Sequence, residues 1–187
     1  MDVPEENNIF KCFIRKTLQN FEINQKMINL AIDLLELDAD DEVIDLFCGL
    51  GNFTLPISRY VKRVVGIEGD KGLVERAKSN AIMNAITNTT FYKADLFDDV
   101  SGSEWFRGQK YNKALIDPAR TGAIEIVELL PKLGVKHLVY VSCNPATLAR
   151  DTARLIELGF NLMSAGVLDM FPQTAHVESI AVFKRKK

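Results

Sequence analysis

The feature that most constrains the fold is the regular alternation of short apolar runs with helix-like stretches from residue 42 onward. Five such runs precede Cys143, namely EVIDLF (42–47), RVVGIE (63–68), TTFYKAD (89–95), KALIDP (113–118) and HLVYVS (137–142). Each is short and largely apolar, as expected for a buried strand. Apolar strands separated by helices predict a parallel sheet that is covered by helices on both faces.

Two further runs close the chain and predict a different kind of pairing. NLMSAGVLDM (161–170) and VESIAVFKR (177–185) are separated by a connection too short for a crossover helix, so we expect an antiparallel hairpin. The predicted fold is therefore α/β, with a doubly wound, mostly parallel seven-stranded sheet and an antiparallel C-terminal hairpin. Helices are expected over residues 53–60, 71–84, 123–132 and 146–158.

The length of 187 residues suits one compact domain with a substantial core. We assign residues 24–187 to this domain and expect Asn24 to cap its first helix, whose apolar stripe runs from Met27 to Leu35. Residues 1–23 are interpreted as a lead-in or as the remnant of an upstream connection. Within them, apolar residues from Ile9 onward have roughly helical spacing.

Composition argues against several classes of protein. Cys12, Cys48 and Cys143 lie far apart without a CxxC pair, which disfavours a disulfide framework or a metal site and indicates a reducing compartment. The N-terminus is polar and acidic, unlike a signal peptide, and no apolar run is long enough to span a bilayer. We therefore expect a cytoplasmic protein with no membrane partner. The net charge of −2 means that any nucleic-acid contact depends on a local surface.

The glycine turn after the first strand predicts a ligand site. In doubly wound sheets, ligands bind beyond the carboxyl ends of the strands, where the strand order reverses. Gly49 and Gly51 permit a tight turn there, and Glu68 ends the second strand, where a carboxylate can accept both hydroxyls of a ribose. This layout suits a dinucleotide or S-adenosylmethionine. The dinucleotide fingerprint requires a third glycine at the position of Thr54.

Two further carboxylates follow strands at the same predicted edge. Asp95 comes after the third strand, where it would suit an adenine edge, and Asp117 comes after the fourth strand, where a methyl donor would meet its acceptor. The alternative for each residue is a solvated loop carboxylate, and the alternative for the turn is a loop without a ligand.

Cys143 has two possible interpretations, a packing residue or a nucleophile. It follows the fifth strand and precedes Pro145, which can begin a helix whose N-terminal dipole would favour a nearby thiolate. Against this, a lone cysteine is most often a buried and inert thiol. Cys48 is the rival thiol, and its place within the glycine turn indicates packing.

Four motifs carry a resemblance to a known family. DLFCGLGNFTL, IDPAR, VSCNPATLARD and LDMFPQTAHVES together resemble the RNA (uracil-5-)-methyltransferases, and the likeness runs from about Asn24 to the C-terminus. The resemblance implies the class I methyltransferase fold, S-adenosylmethionine as cofactor, no metal, and an RNA substrate. Ribosomal RNA is favoured as the substrate, with transfer RNA as the alternative.

The resemblance also implies roles for individual residues. Cys143 matches the nucleophile and Glu178 matches the general base. The positions that match contacts to S-adenosylmethionine are Phe47, Asn52, Glu68, Asp95 and Asp117. Gln19 is the candidate for a further cofactor contact, although its spacing from the first matched helix is one residue short.

Three residues are candidates for contact with the substrate. Phe171 is available to stack on a flipped uracil, Arg120 to contact the base or a phosphate, and His176 to orient the substrate. The alternatives are a core phenylalanine, a surface arginine and a surface histidine.

The chemistry explains why these residue types are needed. Uracil C5 is too weak a nucleophile to attack a sulfonium methyl group unaided. Addition of a thiolate to C6 converts the ring to an enolate with electron density at C5, and a base must later remove the C5 proton. One cysteine, one base and one methyl donor are the minimum set.

Other functions remain open at this stage. An RNA cytosine C5-methyltransferase would be expected to have a Pro-Cys pair at the position where this chain has Pro118-Ala119. An adenine N6-methyltransferase would be expected to have two prolines followed by an aromatic residue. A third alternative is a module that binds S-adenosylmethionine without catalysis, because the N-terminal RNA-binding domain of the family has no counterpart in this sequence. The presence of both Cys143 and Glu178 argues against a purely binding role.

Overall fold

The computed structural model describes residues 21–168 and 177–185, with side chains from Asn24 onward. Its strands in chain order are β1 (Glu42–Leu46), β2 (Arg63–Glu68), β3 (Thr89–Lys93), β4 (Lys113–Ile116), β5 (His137–Ser142), β6 (Phe160–Leu168) and β7 (Glu178–Arg185). The helices are α1 (Phe21–Leu35), α2 (Thr54–Ile57), α3 (Lys71–Met83), α4 (Ile124–Val127), α5 (Leu130–Leu133) and α6 (Pro145–Glu157).

The strands form one seven-stranded sheet in the order β3-β2-β1-β4-β5-β7-β6. The first five strands pair in parallel, whereas β7 is antiparallel to both β5 and β6. The predicted doubly wound sheet with an antiparallel C-terminal hairpin is thus confirmed. From β1, the chain adds β2 and β3 on one side of the sheet. It then returns to place β4 and β5 on the other side of β1, so the strand order reverses between β1 and β4.

Burial on both faces explains why the strands are almost continuously apolar. One buried cluster joins α1 and α2 to one face of the sheet through Met27, Ala31, Ile57 and Val139. A second cluster joins α4, α5 and α6 to the opposite face and contains the fully buried Tyr140 and Phe160. Removal of these side chains from water is the main favourable contribution to folding.

Two helix predictions were wrong in detail. Asn24 does not cap the first helix, because α1 begins at Phe21 and Asn24 lies buried within it. The helix expected over 123–132 is two short helices, α4 and α5. Pro131 has no N–H to donate and restricts the residue before it, which prevents one continuous helix. The segment at 53–60 is helical only over α2, and the helix-like spacing from Ile9 lies outside the described residues.

Candidate functional site

The strand register gathers the ends of the central strands at one edge of the sheet. Leu46 pairs with both Ile67 and Ile116, and Ile116 pairs with Tyr140. The residues that follow these strands therefore lie at a common edge, and β7 begins there because it runs in the opposite direction. This edge contains the point where the strand order reverses.

The glycine turn after β1 has the backbone conformation that its sequence predicts. Phe47, Gly49 and Gly51 all have positive φ angles of 65°, 56° and 90°, a region that favours glycine. The turn is closed by a hydrogen bond of 2.9 Å from the Gly51 N–H to the Cys48 carbonyl. A Cβ atom on Gly49 would meet no atom within 4 Å, so the backbone is open to a ligand at this point.

Glu68 at the end of β2 fixes this turn. Its Oε2 accepts a hydrogen bond of 3.0 Å from the Gly49 N–H, and its Oε1 accepts one of 2.9 Å from the Asp70 N–H. The carboxylate therefore supports the turn from the neighbouring strand. Its contact with a ribose stays a prediction.

Asn52 is held by a residue of α1. The Asn52 and Asn24 side-chain amides donate to each other reciprocally, with both N···O distances at 3.2 Å. On the other side of the turn, Asn80 in α3 donates to the Leu50 carbonyl at 3.1 Å. Helices on both sides of the sheet edge thus orient the turn, which explains why Asn24 is buried within α1.

Asp45 is a site residue that the sequence reasoning missed. Its side chain is fully buried in β1, Oδ2 accepts a hydrogen bond of 2.5 Å from the Thr54 hydroxyl, and Oδ1 has no hydrogen-bond partner. The pKa of Asp45 is raised to about 7, chiefly by burial and also by the charge of Glu68, against the lowering effect of the hydrogen bonds with Thr54. The sequence signal for Asp45 was an acidic residue inside the apolar run EVIDLF, because a buried carboxylate requires a compensating partner.

Asp117 directly follows β4 and is half-buried. Its N–H donates to the Leu46 carbonyl at 3.2 Å, so its backbone continues the pairing with β1. Burial raises the pKa of Asp117 to about 8, and the nearby carboxylates of Glu178 and Asp45 raise it as well. The edge therefore combines several carboxylates with exposed turn backbone, which suits a ligand bearing cationic groups and hydroxyls. A cationic ligand would favour the ionised form of these carboxyl groups, whereas a pyrophosphate would raise their pKa values further.

The antiparallel register brings Cys143 and Glu178 together. Ser142 in β5 pairs with Ser179 in β7, so the next residues in register are Cys143 and Glu178. Both are half-buried. Burial raises the pKa of the Cys143 thiol, and the carboxylates of Glu178 and Asp117 raise it further, while Arg120 has the opposite effect. Burial also raises the pKa of Glu178, against a lowering effect of Arg120.

The helix predicted to follow Cys143 is present. Helix α6 begins at Pro145 as predicted, with Asn144 as its cap, and the Asn144 side chain accepts from the Ala146 N–H at 3.1 Å. The helix dipole alone would lower the pKa of a thiol next to this terminus. Burial and the carboxylates of Glu178 and Asp117 act in the opposite direction and raise the pKa of this thiol.

The loop after β4 is fastened to α6 by two side chains that were not predicted. Asn144 Nδ2 donates to the Arg120 carbonyl at 3.0 Å. The fully buried Asp151 accepts hydrogen bonds of 2.7 Å from the Ala123 N–H and from the Tyr140 hydroxyl. These contacts fix the position of the loop that carries Asp117 and Arg120. No local sequence signal marks Asp151, because Ala123 and Tyr140 are far from it in the chain.

The other predicted site residues divide into two groups. Asp95 is exposed and its Oδ1 accepts from the Phe97 N–H at 3.0 Å, and Arg120 is exposed near Cys143. Gln19, Phe171 and His176 lie outside the described residues. Cys48 is only 4% exposed, as its interpretation as a packing residue requires.

Residues 21–168 and 177–185 contain no cluster of three or more side chains that could hold a metal ion. No helix in these ranges has the length and apolar character needed to cross a membrane.

Solved structures with the same architecture define the class of protein. The chain superposes on *Pyrococcus abyssi* tRNA (uracil-54, C5)-methyltransferase in complex with S-adenosyl-L-homocysteine with a TM-score of 0.71 and 25% identity, over 86% of this chain and 38% of that chain. It also superposes on *M. jannaschii* TYW2 in complex with AdoMet with a TM-score of 0.65 and 16% identity, over 92% of this chain and 80% of that one. The fold is that of the class I S-adenosylmethionine-dependent methyltransferases.

The fold alone does not specify the reaction. The [4+2]-cyclase SpnF matches with a TM-score of 0.70 at 11% identity, over 86% of this chain and 80% of that chain, although its name describes a different activity. Sequence similarity is more specific. Residues 5–186 match the family described as tRNA (Uracil-5-)-methyltransferase, and this chain belongs to that family.

Curated relatives are similar over most of this chain. A protein of *Vesicomyosocius okutanii* named 23S rRNA (uracil(1939)-C(5))-methyltransferase RlmD is 71% identical over 89% of this chain and 38% of its own length. Proteins of the same name from *Alcanivorax borkumensis* and *Francisella tularensis* are 56% and 54% identical, over 91% and 99% of this chain. The chain spans about two fifths of the length of these relatives, 38–40%.

Proposed function

We propose that this chain is the catalytic part of an S-adenosylmethionine-dependent RNA methyltransferase that methylates C5 of a uridine through a covalent bond to Cys143. The observation that carries the proposal is the position of Cys143 and Glu178, which lie one register step beyond the last pair of β5 and β7, Ser142 and Ser179, with Asp117 close enough to act on the thiol. A nucleophile, a base and a donor site at one sheet edge are the minimum set for this chemistry.

S-adenosylmethionine fits the acidic edge and supplies an electrophilic methyl group when it is bound. Asp45 has an unpaired buried oxygen, and Gly49 leaves open space where a side chain would otherwise lie. Glu68 and Asn52 hold the turn in shape, and Asp117 lies between the turn and Cys143. The carboxylates favour a ligand with an ammonium and a sulfonium group, which disfavours the dinucleotide alternative.

Cys143 and Glu178 divide the reaction between them. The Cys143 thiol loses its proton to solvent and adds as the thiolate to uracil C6, and the electron pair of the C5–C6 bond moves onto C5 and O4. C5 then accepts the methyl group as the bond from that methyl group to the sulfonium sulfur breaks, which releases S-adenosylhomocysteine. Glu178 removes the proton from C5, and the bond between the Cys143 sulfur and C6 breaks to restore the C5–C6 double bond. The raised pKa of Glu178 suits this step, because a stronger base accepts the proton more readily near neutral pH.

Ribosomal RNA is the favoured substrate. The relatives named for 23S rRNA reach 71% identity, whereas the solved structure named for tRNA is 25% identical. Transfer RNA remains the alternative, in keeping with the description of the family. Because the chain spans 38% of its first relative, a second alternative is a core that binds the cofactor but needs further domains to act on RNA.

A methyl-transfer assay tests the reaction. The chain is incubated with methyl-labelled S-adenosylmethionine and total bacterial RNA that lacks the modification, and the RNA is digested to nucleosides for mass spectrometry. We expect label only in 5-methyluridine, and none with Cys143→Ala. Label in 5-methylcytidine or N6-methyladenosine would contradict the proposed base. Binding of S-adenosylmethionine without any transfer would favour the cofactor-binding core.

A further inference from the structure

An open groove of about 600 Å³ lies on the helix-covered side of the sheet edge, outside the residues assigned to the reaction. Its wall is formed by the segment after β3, the loop after β4 and the first two turns of α6. The lining residues are Phe97, Thr121, Ile124, Glu125, Thr147 and Arg150.

The groove is contiguous with the proposed reaction site through two loops. Thr121 follows Arg120 directly, and the Thr147 hydroxyl donates to the Asn144 carbonyl at 3.0 Å, one residue from Cys143. A polymer whose reacting unit lies against Cys143 therefore has its neighbouring units within reach of this groove.

The groove wall is held in a fixed shape. The Arg150 guanidinium donates to the Thr121 carbonyl at 3.0 Å and to the buried Asp151 carboxylate at 2.8 Å. Gly122 has a φ of +80°, and a Cβ atom there would lie 2.6 Å from Arg150 and from Asp151. On the opposite wall, the Phe97 ring packs against Phe47 with 5.8 Å between ring centroids.

The chemistry of the lining favours a base over a phosphate. The charge of Arg150 is offset by Asp151, and Glu125 adds a second carboxylate, so the groove is not a basic patch. A phosphate contact would need uncompensated cations. Phe97, 47% exposed, instead presents an aromatic face, while two threonine hydroxyls and a carboxylate offer hydrogen-bonding groups suited to a base edge.

We propose that this groove binds an unpaired nucleobase of the substrate RNA that neighbours the target uridine, stacked on Phe97. The inference rests on the proposed function, because it requires an RNA substrate at Cys143. It deepens that function by adding a second base subsite, which would select a splayed single-stranded segment.

Amide chemical-shift mapping of the 187-residue chain locates the binding. We expect single-stranded uridine trinucleotides to shift the amides of Thr121, Ile124 and Thr147, whereas S-adenosylhomocysteine alone shifts those of the glycine turn. Groove shifts with S-adenosylhomocysteine alone would identify the groove as part of the cofactor site and overturn the proposal. A trinucleotide that leaves the groove amides unshifted would also overturn it.

A double-mutant cycle then tests the stacking. Phe97→Ala should weaken trinucleotide binding by about tenfold, as expected for loss of one base-stacking contact. Replacement of the base at one flanking position by an abasic unit should weaken binding to the wild-type chain equally, but should have little effect on the Phe97→Ala chain. The matched control is Tyr60→Ala, which removes an aromatic side chain of similar exposure, 53%, outside the groove.

The outcomes separate this proposal from the proposed function. Additive effects of Phe97→Ala and the abasic unit at every flanking position would contradict the base subsite. Failure of Cys143 to bond to 5-fluorouridine would contradict the proposed reaction, and the shift mapping would still decide whether the groove binds a base.

Discussion

Cys143 lies among carboxyl groups that oppose its ionisation. Burial, Glu178 and Asp117 all raise its pKa above the ordinary value of 9.0, and only Arg120 and a backbone contact act in the other direction. The resting thiol is therefore protonated at neutral pH. Protonation keeps the Cys143 sulfur unreactive toward other electrophiles. A substrate that donates hydrogen bonds to the carboxylates of Glu178 and Asp117 would weaken their effect on the pKa of the thiol.

The first prediction concerns the ionisation of this thiol. Glu178→Gln removes a negative charge opposite Cys143, so the pKa of the thiol should fall and its alkylation by iodoacetamide should begin at lower pH. The rate at Cys143 is followed by peptide mass spectrometry across neutral and alkaline pH. Glu75→Gln, which removes an exposed carboxylate on α3, is the control. An unchanged pH profile in Glu178→Gln would show that Glu178 does not act on the thiol.

The second prediction concerns Asp117. Its pKa is about 8 in the folded protein, against an ordinary value of 3.8, so between these values the folded state binds more protons than the unfolded state. The free energy of unfolding therefore falls as the pH rises through this interval. Asp117→Asn should stabilise the ligand-free protein above neutral pH by on the order of 1 kcal/mol, and should weaken the binding of S-adenosylmethionine.

Urea unfolding at acidic and alkaline pH measures the effect on stability. Asp33→Asn, an exposed change on α1, should show no such gain. If Asp117→Asn destabilises the ligand-free protein at alkaline pH, the carboxyl group is not held in an unfavourable environment.

The sequence predicted the reactive pair only through its motifs. Cys143 and Glu178 are far apart in the chain, and their meeting depends on the antiparallel pairing of β5 with β7. Asp45 gave a signal in its own strand, because an acid in an apolar run must find a partner or remain protonated. Asp151 could not be assigned, because two of its partners, Ala123 and Tyr140, come from segments that are distant in the chain.

At the scale of elements, the loops at the sheet edge keep their positions because residues of the neighbouring helices hold them by hydrogen bonds. The apolar runs were sufficient to predict the strands, since buried parallel strands have few polar positions. Helix boundaries were harder to predict, because α1 extends past its expected cap and Pro131 interrupts an apolar stretch that spacing alone made continuous. The contact between Asn24 and Asn52 accounts for the burial of Asn24 within α1, whereas the interruption at Pro131 is a local effect of the proline ring.

The third prediction tests how α6 holds the loop after β4. Asp151→Ala leaves the Tyr140 hydroxyl and the Ala123 N–H buried without their acceptor, and unpairs Arg150. We expect a loss of about 3–5 kcal/mol in the free energy of unfolding, as for removal of one partner from a buried ionic network. Glu157→Ala on the same helix removes only an exposed ion pair with Arg154 and should cost less than about 1 kcal/mol. Equal losses in urea unfolding would contradict the anchoring role.

The fourth prediction tests how α1 orients the glycine turn. Asn24→Ala and Asn52→Ala each break the same reciprocal amide pair. Asn24→Ala should weaken binding of S-adenosylmethionine, measured by calorimetry, although Asn24 belongs to the helix. The double variant should bind little more weakly than Asn52→Ala, because coupled residues are not additive. Full additivity would mean that Asn24 does not act through Asn52.

At the scale of the whole molecule, the fold separates two tasks along one sheet edge. The turn after β1 and the end of β2 form the cofactor side, and the ends of β4 and β5 with the start of β7 form the reacting side. Strand-order reversal between β1 and β4 places these sides next to each other. The sequence predicted this arrangement from strand–helix alternation. The shortness of the connection between β6 and β7 predicted their antiparallel pairing, but not the position of β7 between β5 and β6.

The fifth prediction addresses the central claim, that Cys143 bonds to C6 of a uracil during methyl transfer. The chain is incubated with S-adenosylmethionine and RNA containing 5-fluorouridine, in which the base cannot remove fluorine from C5 as a proton. We expect a methylated covalent complex that survives denaturation and whose nucleotide is attached to the peptide containing Cys143. Absence of this complex for both the chain and the chain supplied with the remaining domains of a relative, or attachment at Cys48, would contradict the account.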